Sequence, residues 1–403
     1  MSDQFKKEVL NAFKKVSPSA IKVEDQDELD KYTSNHYNLF HNKLKFPIKM
    51  FNESKVLDFG CGTGEVDLVL AKWGGDIEGF DFNDTSIARA NYLKGKFNLD
   101  GNLTFSVGDV DKYKFKENFF DIVISMGVIA HVPNQENMFQ RMVQACKRDG
   151  FITLGYVERS GLVQRLLHRA ICNVNNDGDE SKVYDIANNL FSEHIQRSVR
   201  YGGRTAESVV NDYLVNPHYV GINIRTLFEW MDKYNLEYYS MTPNIELPFL
   251  VDSPYHQSLV ANTDIYKKYL AILELRWIFA QAEDKDVFDR ILNPLSKVEK
   301  KIDSMLYNID EILQNFQYEK KYLDAVNYDM DKIEFELQEY FLNISSHISK
   351  NFKELKGELV KVLDMVINKA QGNGEFDLNY KSNKLFQGYN GLTTNYIMFH
   401  KKN

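Results

Sequence analysis

The stretch Lys55-Val56-Leu57-Asp58-Phe59-Gly60-Cys61-Gly62-Thr63-Gly64-Glu65 constrains the fold more than any other part of the chain. It reads as a short apolar strand that breaks into a glycine-rich turn and opens a helix over 66–72. Glycines at alternate positions let the backbone pass close to a ligand with no Cβ in the way. The N–H groups of the helix that follows point at that ligand. A second strand, Asp76-Ile77-Glu78-Gly79-Phe80, ends in Asp81, a carboxylate placed to accept hydrogen bonds from the two hydroxyls of a ribose. Turn and acid within one β-α-β unit predict a nucleoside-cofactor site.

The spacing separates two kinds of cofactor. Dinucleotide sites favour G-x-G-x-x-G, with the third glycine inside the helix and the pyrophosphate on its N-terminus. Here the pattern is Asp58-x-Gly60-x-Gly62-x-Gly64, opened by an acid and closed by Glu65. Carboxylates so placed repel a pyrophosphate. They suit a sulfonium cofactor with an amino-acid tail, whose cation and ammonium favour negative neighbours. The pattern resembles motif I of the class I S-adenosylmethionine (SAM) dependent methyltransferases. Nicotinamide dinucleotide binding is the alternative for the turn taken alone.

The resemblance implies an α/β fold, a seven-stranded sheet whose last strand is antiparallel to the others. It implies SAM contacts at Asp58, Phe59, Gly60, Cys61, Gly62, Gly64, Asp81 and Phe82. Leu103 to Val107 reads as a third strand, and the acid that follows, Asp109, with Val110, takes the adenine end by resemblance. A solvated turn aspartate is the other reading of Asp109. Phe120 to Gly127 is a fourth, fully apolar strand, as a sheet buried on both faces requires. Its Ser125 and Met126 complete the cofactor set. Its exit, Val128 to Pro133, corresponds to the loop facing both cofactor and acceptor. After a helix near Met138 to Cys146, Phe151 to Tyr156 is the fifth strand, with Tyr156 on the acceptor side. Ligands of open α/β sheets bind outside the carboxyl ends of the strands, where these residues fall.

A chain of 403 residues exceeds one ordinary core, so two or three structural units are expected. No apolar run reaches membrane-spanning length, and Met1 to Val16 is polar and lysine-rich, which predicts a cytoplasmic enzyme with no membrane partner. Cys61, Cys146 and Cys172 are unevenly spaced, so neither a metal site nor a disulfide framework is expected. Cys61 reads as a small residue filling the glycine turn. The net charge of −8 argues against a nucleic-acid substrate, with Arg197, Arg200 and Arg204 the one obvious basic patch.

Two additions interrupt the sheet. From Glu158 the pattern turns helical, with Leu162, Leu166, Leu167 and Ile171, then Val183, Ile186, Leu190 and Ile195. A polar, aromatic run, Asn211 to Tyr219, follows. By resemblance this insertion is a lid over the acceptor, with His218 and Tyr219 as acceptor contacts. A helix over Ile224 to Tyr234 and a sixth strand over Leu236 to Met241 return to the sheet. Leu295, Val298, Ile302, Met305, Ile309, Ile312 and Phe316 then form one seam stepping by three and four. Ile333, Leu337, Phe341, Ile344 and Ile348 form a second, which slips at Phe352 and resumes with Leu355, Leu359, Val362 and Val366. The expected arrangement is an antiparallel hairpin turning near Tyr322 to Asp329. Its seams bury themselves against each other and the core, or serve as a dimerisation or docking arm. Gly388 to Gly391 reads as a turn and Leu392 to His400 as the seventh strand. The predicted organisation is a SAM-binding core over 1–157, a lid over 158–223, a core helix and sixth strand over 224–245, a helical bundle over 246–375 and the closing strand over 376–403.

The activity implied is methyl transfer from SAM to an oxygen or nitrogen of a small-molecule acceptor, with a sugar or secondary metabolite favoured. An RNA or protein methyltransferase docking through the hairpin, and a non-catalytic SAM-binding scaffold, are the alternatives. The sulfonium is already a good leaving group, so alignment of the reactants supplies most of the catalysis. A hydroxyl acceptor additionally needs a base. His131, directly after the fourth strand, is the candidate, and a structural histidine is its other reading. Tyr32 to Tyr37 folds over the cofactor or forms a surface helix.

Overall fold

The computed structural model of the protein describes residues 2–15, 23–99, 101–202, 204–216, 218–244, 296–341, 346–377 and 394–402. Seven strands form one sheet in the order β3-β2-β1-β4-β5-β7-β6. They are β1 (Lys55–Phe59), β2 (Asp76–Asp81), β3 (Leu103–Val107), β4 (Phe120–Met126), β5 (Cys146–Val157), β6 (Leu236–Thr242) and β7 (Thr394–Lys401). The first five run parallel, and β7 slots antiparallel between β5 and β6. The chain walks outward from β1 through β2 to β3, then crosses back to β4 on the other side of β1. That reversal opens a crevice at the carboxyl ends of β1 and β4, where α/β sheets bind ligands.

Both faces of the sheet are covered, which is why its central strands β1 and β4 are largely buried. On one face α3 (Glu65–Lys72) and α4 (Asp84–Lys96) pack Leu68, Leu70, Ile87 and Leu93 against Val56, Ile77 and Ile122. The helix α2 (Gln26–Tyr37) lies on α3 at this side. On the other face α5 (Gln135–Ala145) and α9 (Ile224–Lys233), which follows the short α8 (Ala206–Val210), bring Met138, Phe139, Trp230 and Met231 to Leu57, Val123 and Phe399. The fifth strand begins at Cys146, five residues before the apolar run that marked it. Phe120 pairs with Cys146, and the register shifts before Ile122 pairs with Phe151. Its first residues, Lys147, Arg148 and Asp149, are polar and so read as a turn.

The helical additions do not form the expected two-helix hairpin. Among the described residues there are three helices, α10 (Ser296–Leu313), α11 (Lys320–Phe341) and α12 (Ser346–Ala370). The turn expected at Tyr322 to Asp329 lies inside α11, and the chain reverses instead over 314–319. Phe316, counted in the first seam, sits in that reversal at a φ of 54° and is 48% exposed. Nor do the seams bury themselves alone. Ile302, Met305, Ile309, Val326, Ile333, Leu359 and Val366 share one core with Leu166, Leu167 and Ile171 of α6 (Val163–Asn175) and Leu190 of α7 (Lys182–Gly202). A 3–4 spacing reveals which stripe of a helix is apolar and carries no information about its partner. Two ion pairs tie this helical unit to the core, Arg159 Nη2 to Asp310 at 2.6 Å and Arg225 Nη2 to Asp303 at 2.6 Å. The side chains of Leu295, Val298, Leu337, Phe341, Ile344, Ile348 and Phe352, and the turn at Gly388 to Gly391, lie outside the described residues. Among the described residues no helix is long and apolar enough to cross a membrane.

Candidate functional site

The glycine turn joins β1 to α3 with Gly60, Gly62 and Gly64 at φ of 79°, 55° and 79°, values that L side chains adopt only with strain. The three glycines serve different ends. A Cβ at Gly60 would lie 2.5 Å from Val128 Cγ2, and one at Gly64 2.8 Å from Phe105 Cζ, so these two allow the turn to pack. A Cβ at Gly62 would meet nothing within 4 Å. Its backbone faces open space, which is what a ligand approaching the turn requires. Asp81, at the end of β2, accepts from Gly62 N–H at 3.1 Å and from Asn83 N–H at 2.8 Å. One carboxylate thus fixes the turn and stands beside the space in front of it.

The remaining sequence-predicted cofactor residues gather around this point. Phe82 follows Asp81, half-buried. Ser125, fully buried in β4, donates from Oγ to the Phe59 carbonyl at 2.8 Å and so locks β4 against β1. Met126 is half-buried at the strand's end, beside the crevice. The Cys61 thiol is buried, and desolvation with the charges of Asp67, Asp58 and Asp81 pushes its pKa well up, so it stays protonated. That suits a small filling residue and no nucleophile.

Asp58 is buried at 2% exposure next to a second carboxyl, Asp67 of α3, at 0%. Burial pushes the Asp58 pKa up to about 7, with the neighbouring Asp67 acting in the opposite direction and the Asp81 charge adding to the rise. Asp67 is pushed well up by burial and by the Asp58 charge, so it holds the proton of the pair. Asp67 escaped sequence reasoning because one acid among Leu68, Val69 and Leu70 reads as an exposed helix position. The unfolded chain releases these protons in the ordinary carboxyl range, whereas the folded chain keeps them to higher pH. Their contribution to stability is therefore present below that range and is lost as pH rises through about 7. Asp67→Asn is expected to flatten the fall in apo melting temperature between about pH 5 and about pH 8. An identical fall in the variant, followed by calorimetry, would contradict a shared proton.

The segment Tyr32 to Tyr37 lies within α2. The Tyr32 phenol is desolvated near Glu65, Asp67 and Asp58, which pushes its pKa well up. At the far end of the crevice Asp109 accepts from Lys6 Nζ at 2.9 and 2.7 Å, and the same ammonium reaches Asp111 at 2.6 Å. Val110 beside it accepts from Arg141 Nε at 2.7 Å. Lys6 belongs to α1 (Ser2–Lys15), which spans the strand ends. Phe5 of α1 stacks on His218 at 3.8 Å, Glu8 reaches His218 Nε2 at 2.6 Å, and Phe13 meets His131 edge-on at 5.2 Å. Nothing in the lysine-rich start of the chain signalled these partners, which are 103 to 213 positions away in sequence.

His131 follows β4 in a short turn and is half-buried against Asp212, Asn216, His218 and Tyr219. Its Nδ1 lies 2.9 Å from the His218 carbonyl and 3.2 Å from Asn216 Nδ2, and its Nε2 lies 3.8 Å from Asp212 Oδ1. Burial lowers its pKa, with the Asp212 charge acting in the opposite direction, so the ring is neutral near pH 7. The Tyr219 ring stands edge-on to it at 5.0 Å. His131, His218 and Tyr219 are therefore brought together, whereas Tyr156, at 1% exposure, lies in the sheet core with Phe139 and Trp230. The partners that sequence reasoning missed here are Asp212 and Arg165, the latter with its guanidinium 3.1 Å from the Tyr219 ring centre.

Comparison with known proteins agrees with this geometry. Residues 51–203 match the family model described as a methyltransferase domain. A sterol 24-C-methyltransferase of Saccharomyces cerevisiae is 35% identical over 96 residues, 24% of this chain and 25% of that protein. A probable S-adenosyl-L-methionine-dependent methyltransferase of Haemophilus influenzae is 35% identical over 96 residues, 23% of this chain and 32% of the relative. The chain thus spans about a quarter to a third of the curated relatives it matches. A solved SAM-dependent methyltransferase of Mesorhizobium loti aligns at 20% identity over 34% of this chain and 59% of that one, with a TM-score of 0.29. Motif, strand order and domain match converge on residues 51–203, which form a methyltransferase domain of the class I kind, a kind of domain that uses S-adenosylmethionine.

Proposed function

We propose that this protein transfers a methyl group from SAM to an oxygen or nitrogen of a small-molecule acceptor, a sugar or secondary metabolite being the favoured class. The observation that carries the reading is the open space before Gly62, with Asp81 bonded to the Gly62 N–H at its side. When bound, SAM supplies a methyl group activated by its sulfonium. Asp58, Gly60 and Gly62 would hold its amino-acid end, Asp81 its ribose and Asp109 its adenine, the last after exchange with Lys6. The insertion packed over the strand ends excludes water and aligns the acceptor. A net charge of −8 supports a small acceptor over a nucleic acid. The relatives' alignments cover too little of either chain to carry a sterol over to this one.

For a hydroxyl acceptor, His131 takes the proton. With Nδ1 facing the His218 carbonyl, Nε2 is the ring nitrogen left to accept, and Asp212 at 3.8 Å stabilises the imidazolium that results. His131→Ala is expected to lower kcat by about 10²-fold at saturating SAM, with cofactor affinity unchanged. Full turnover in that variant would assign His131 to structure. Calorimetry tests the cofactor itself. SAM and S-adenosylhomocysteine should bind and nicotinamide dinucleotides should not. Tight dinucleotide binding without a response to SAM would overturn the reading.

A further inference from the structure

Among the described residues, the inner side of the insertion carries more positive charge than carboxylates to pair with it. Arg165 and Arg169 stand four residues apart on α6, so their guanidinium groups share one face and repel. Arg165 is 2% exposed. It donates to the Asp212 carbonyl and lies over the Tyr219 ring, with Tyr213 at 5.1 Å, and its Nε has no hydrogen-bond partner among the described residues. Arg169 is half-buried and makes no hydrogen bond or ion pair with a described residue. Burial and the Arg165 charge lower its pKa to about 10, so it too is a cation near neutrality. The third arginine, Arg204, holds Asp212 Oδ2 at 2.8 Å. Against its desolvation, Arg204 and Arg165 keep Asp212 ionised with its pKa down to about 2, and among the described residues it is the carboxylate in contact with them. His194 nearby adds nothing to the balance, because burial with Arg197 and Arg165 holds it near 4 and neutral.

Among the described residues, Arg165 and Arg204 therefore share the carboxylate of Asp212, and Arg169 adds a third cation beside Arg165 with no carboxylate of its own. Burying cations without a counter-charge is unfavourable enough that such groups are otherwise paired. Guanidinium groups present parallel N–H donors that match a carboxylate or phosphate in bidentate fashion. The location fixes what the anion is for, since Asp212 also faces His131 Nε2 and Arg165 lies on Tyr219, the residues beside the exit of β4. We propose that the methyl acceptor is itself an anion, whose carboxylate or phosphate is held by Arg165 and Arg169 while its nucleophile is turned toward His131. This rests on the methyltransferase reading and narrows it. A neutral, apolar acceptor would leave Arg169 without a counter-charge among the described residues.

The test uses the full chain saturated with S-adenosylhomocysteine, titrated with inorganic phosphate or with acetate against chloride at matched ionic strength. At least one of the two oxyanions should raise the melting temperature saturably. A response to phosphate alone identifies a phosphorylated acceptor, and a response to acetate alone a carboxylic one. Arg169→Gln should weaken that binding about tenfold and Arg165→Gln at least as much, with S-adenosylhomocysteine affinity unchanged. Arg169→Gln should also raise the melting temperature of the anion-free protein, because it removes a repelling charge that bonds to no described residue. This variant remains informative should Arg165→Gln fail to fold. If neither oxyanion acts beyond chloride, or Arg169→Gln responds like the parent, the anion site is wrong while the methyltransferase reading stands. Failure of S-adenosylhomocysteine itself to bind would strike that reading instead.

Discussion

Asp81→Ala is expected to weaken SAM binding by roughly 10²-fold or more. A ribose diol donates two hydrogen bonds to one carboxylate, and each charge-assisted bond contributes about 1.5–3 kcal/mol. The structure adds a second consequence. The same carboxylate accepts the N–H groups of Gly62 and Asn83, so its removal also loosens the glycine turn. A small drop in apo stability should therefore accompany the loss of affinity. Asp81→Asn, which keeps one acceptor oxygen, should fall between parent and alanine in both respects. Calorimetry with the three proteins separates the outcomes. Unchanged affinity in Asp81→Ala would mean that the ribose is held elsewhere.

Removal of the helical bundle is expected to take the insertion over the active site with it. Joining residue 296 to residue 370 by a short linker has little entropic penalty, since loop closure depends only weakly on length. What the shortened protein loses is the apolar cover of α6 and α7, because Leu166, Leu167, Ile171 and Leu190 share their core with Ile302, Ile309 and Leu359. Uncovered, that face is an aggregation surface. Limited proteolysis should cut the shortened protein within 163–202 where the full chain resists. The single change Ile309→Ala, at a fully buried position, should destabilise the helical unit by about 2–5 kcal/mol. A monomeric shortened protein with a protected α6 would show that the two insertions fold independently.

The sheet was legible because its signals are local. Gly60 to Gly64 followed by Asp81 is a backbone requirement written into adjacent residues, and the apolar strands Val56 to Phe59 and Ile122 to Ile124 declare burial on both faces. The closing strand was found by elimination, since a seventh strand was owed and the run ending at His400 could supply it. Its place between β5 and β6 agrees. Polar positions that sit in buried company were not legible. Asp67 looks like any helix-surface acid until α3 is laid on the sheet, and Lys147 to Asp149 look like a turn until β5 is paired.

By itself, then, the sequence determined the cofactor class and the strand plan, because alternate glycines, an acid at a strand end and two-sided apolar runs each impose a physical requirement within a few residues. Tertiary structure alone decided which apolar stripe meets which, so that α6 packs on α10 and α12 and three helices stand where two seams were read. It likewise decided the electrostatics. Arg165, Arg204, Asp212 and His131 are separated by up to 81 positions, and Lys6 lies 103 from Asp109. Charges interact through space and the dielectric between them, and neither is visible along the chain.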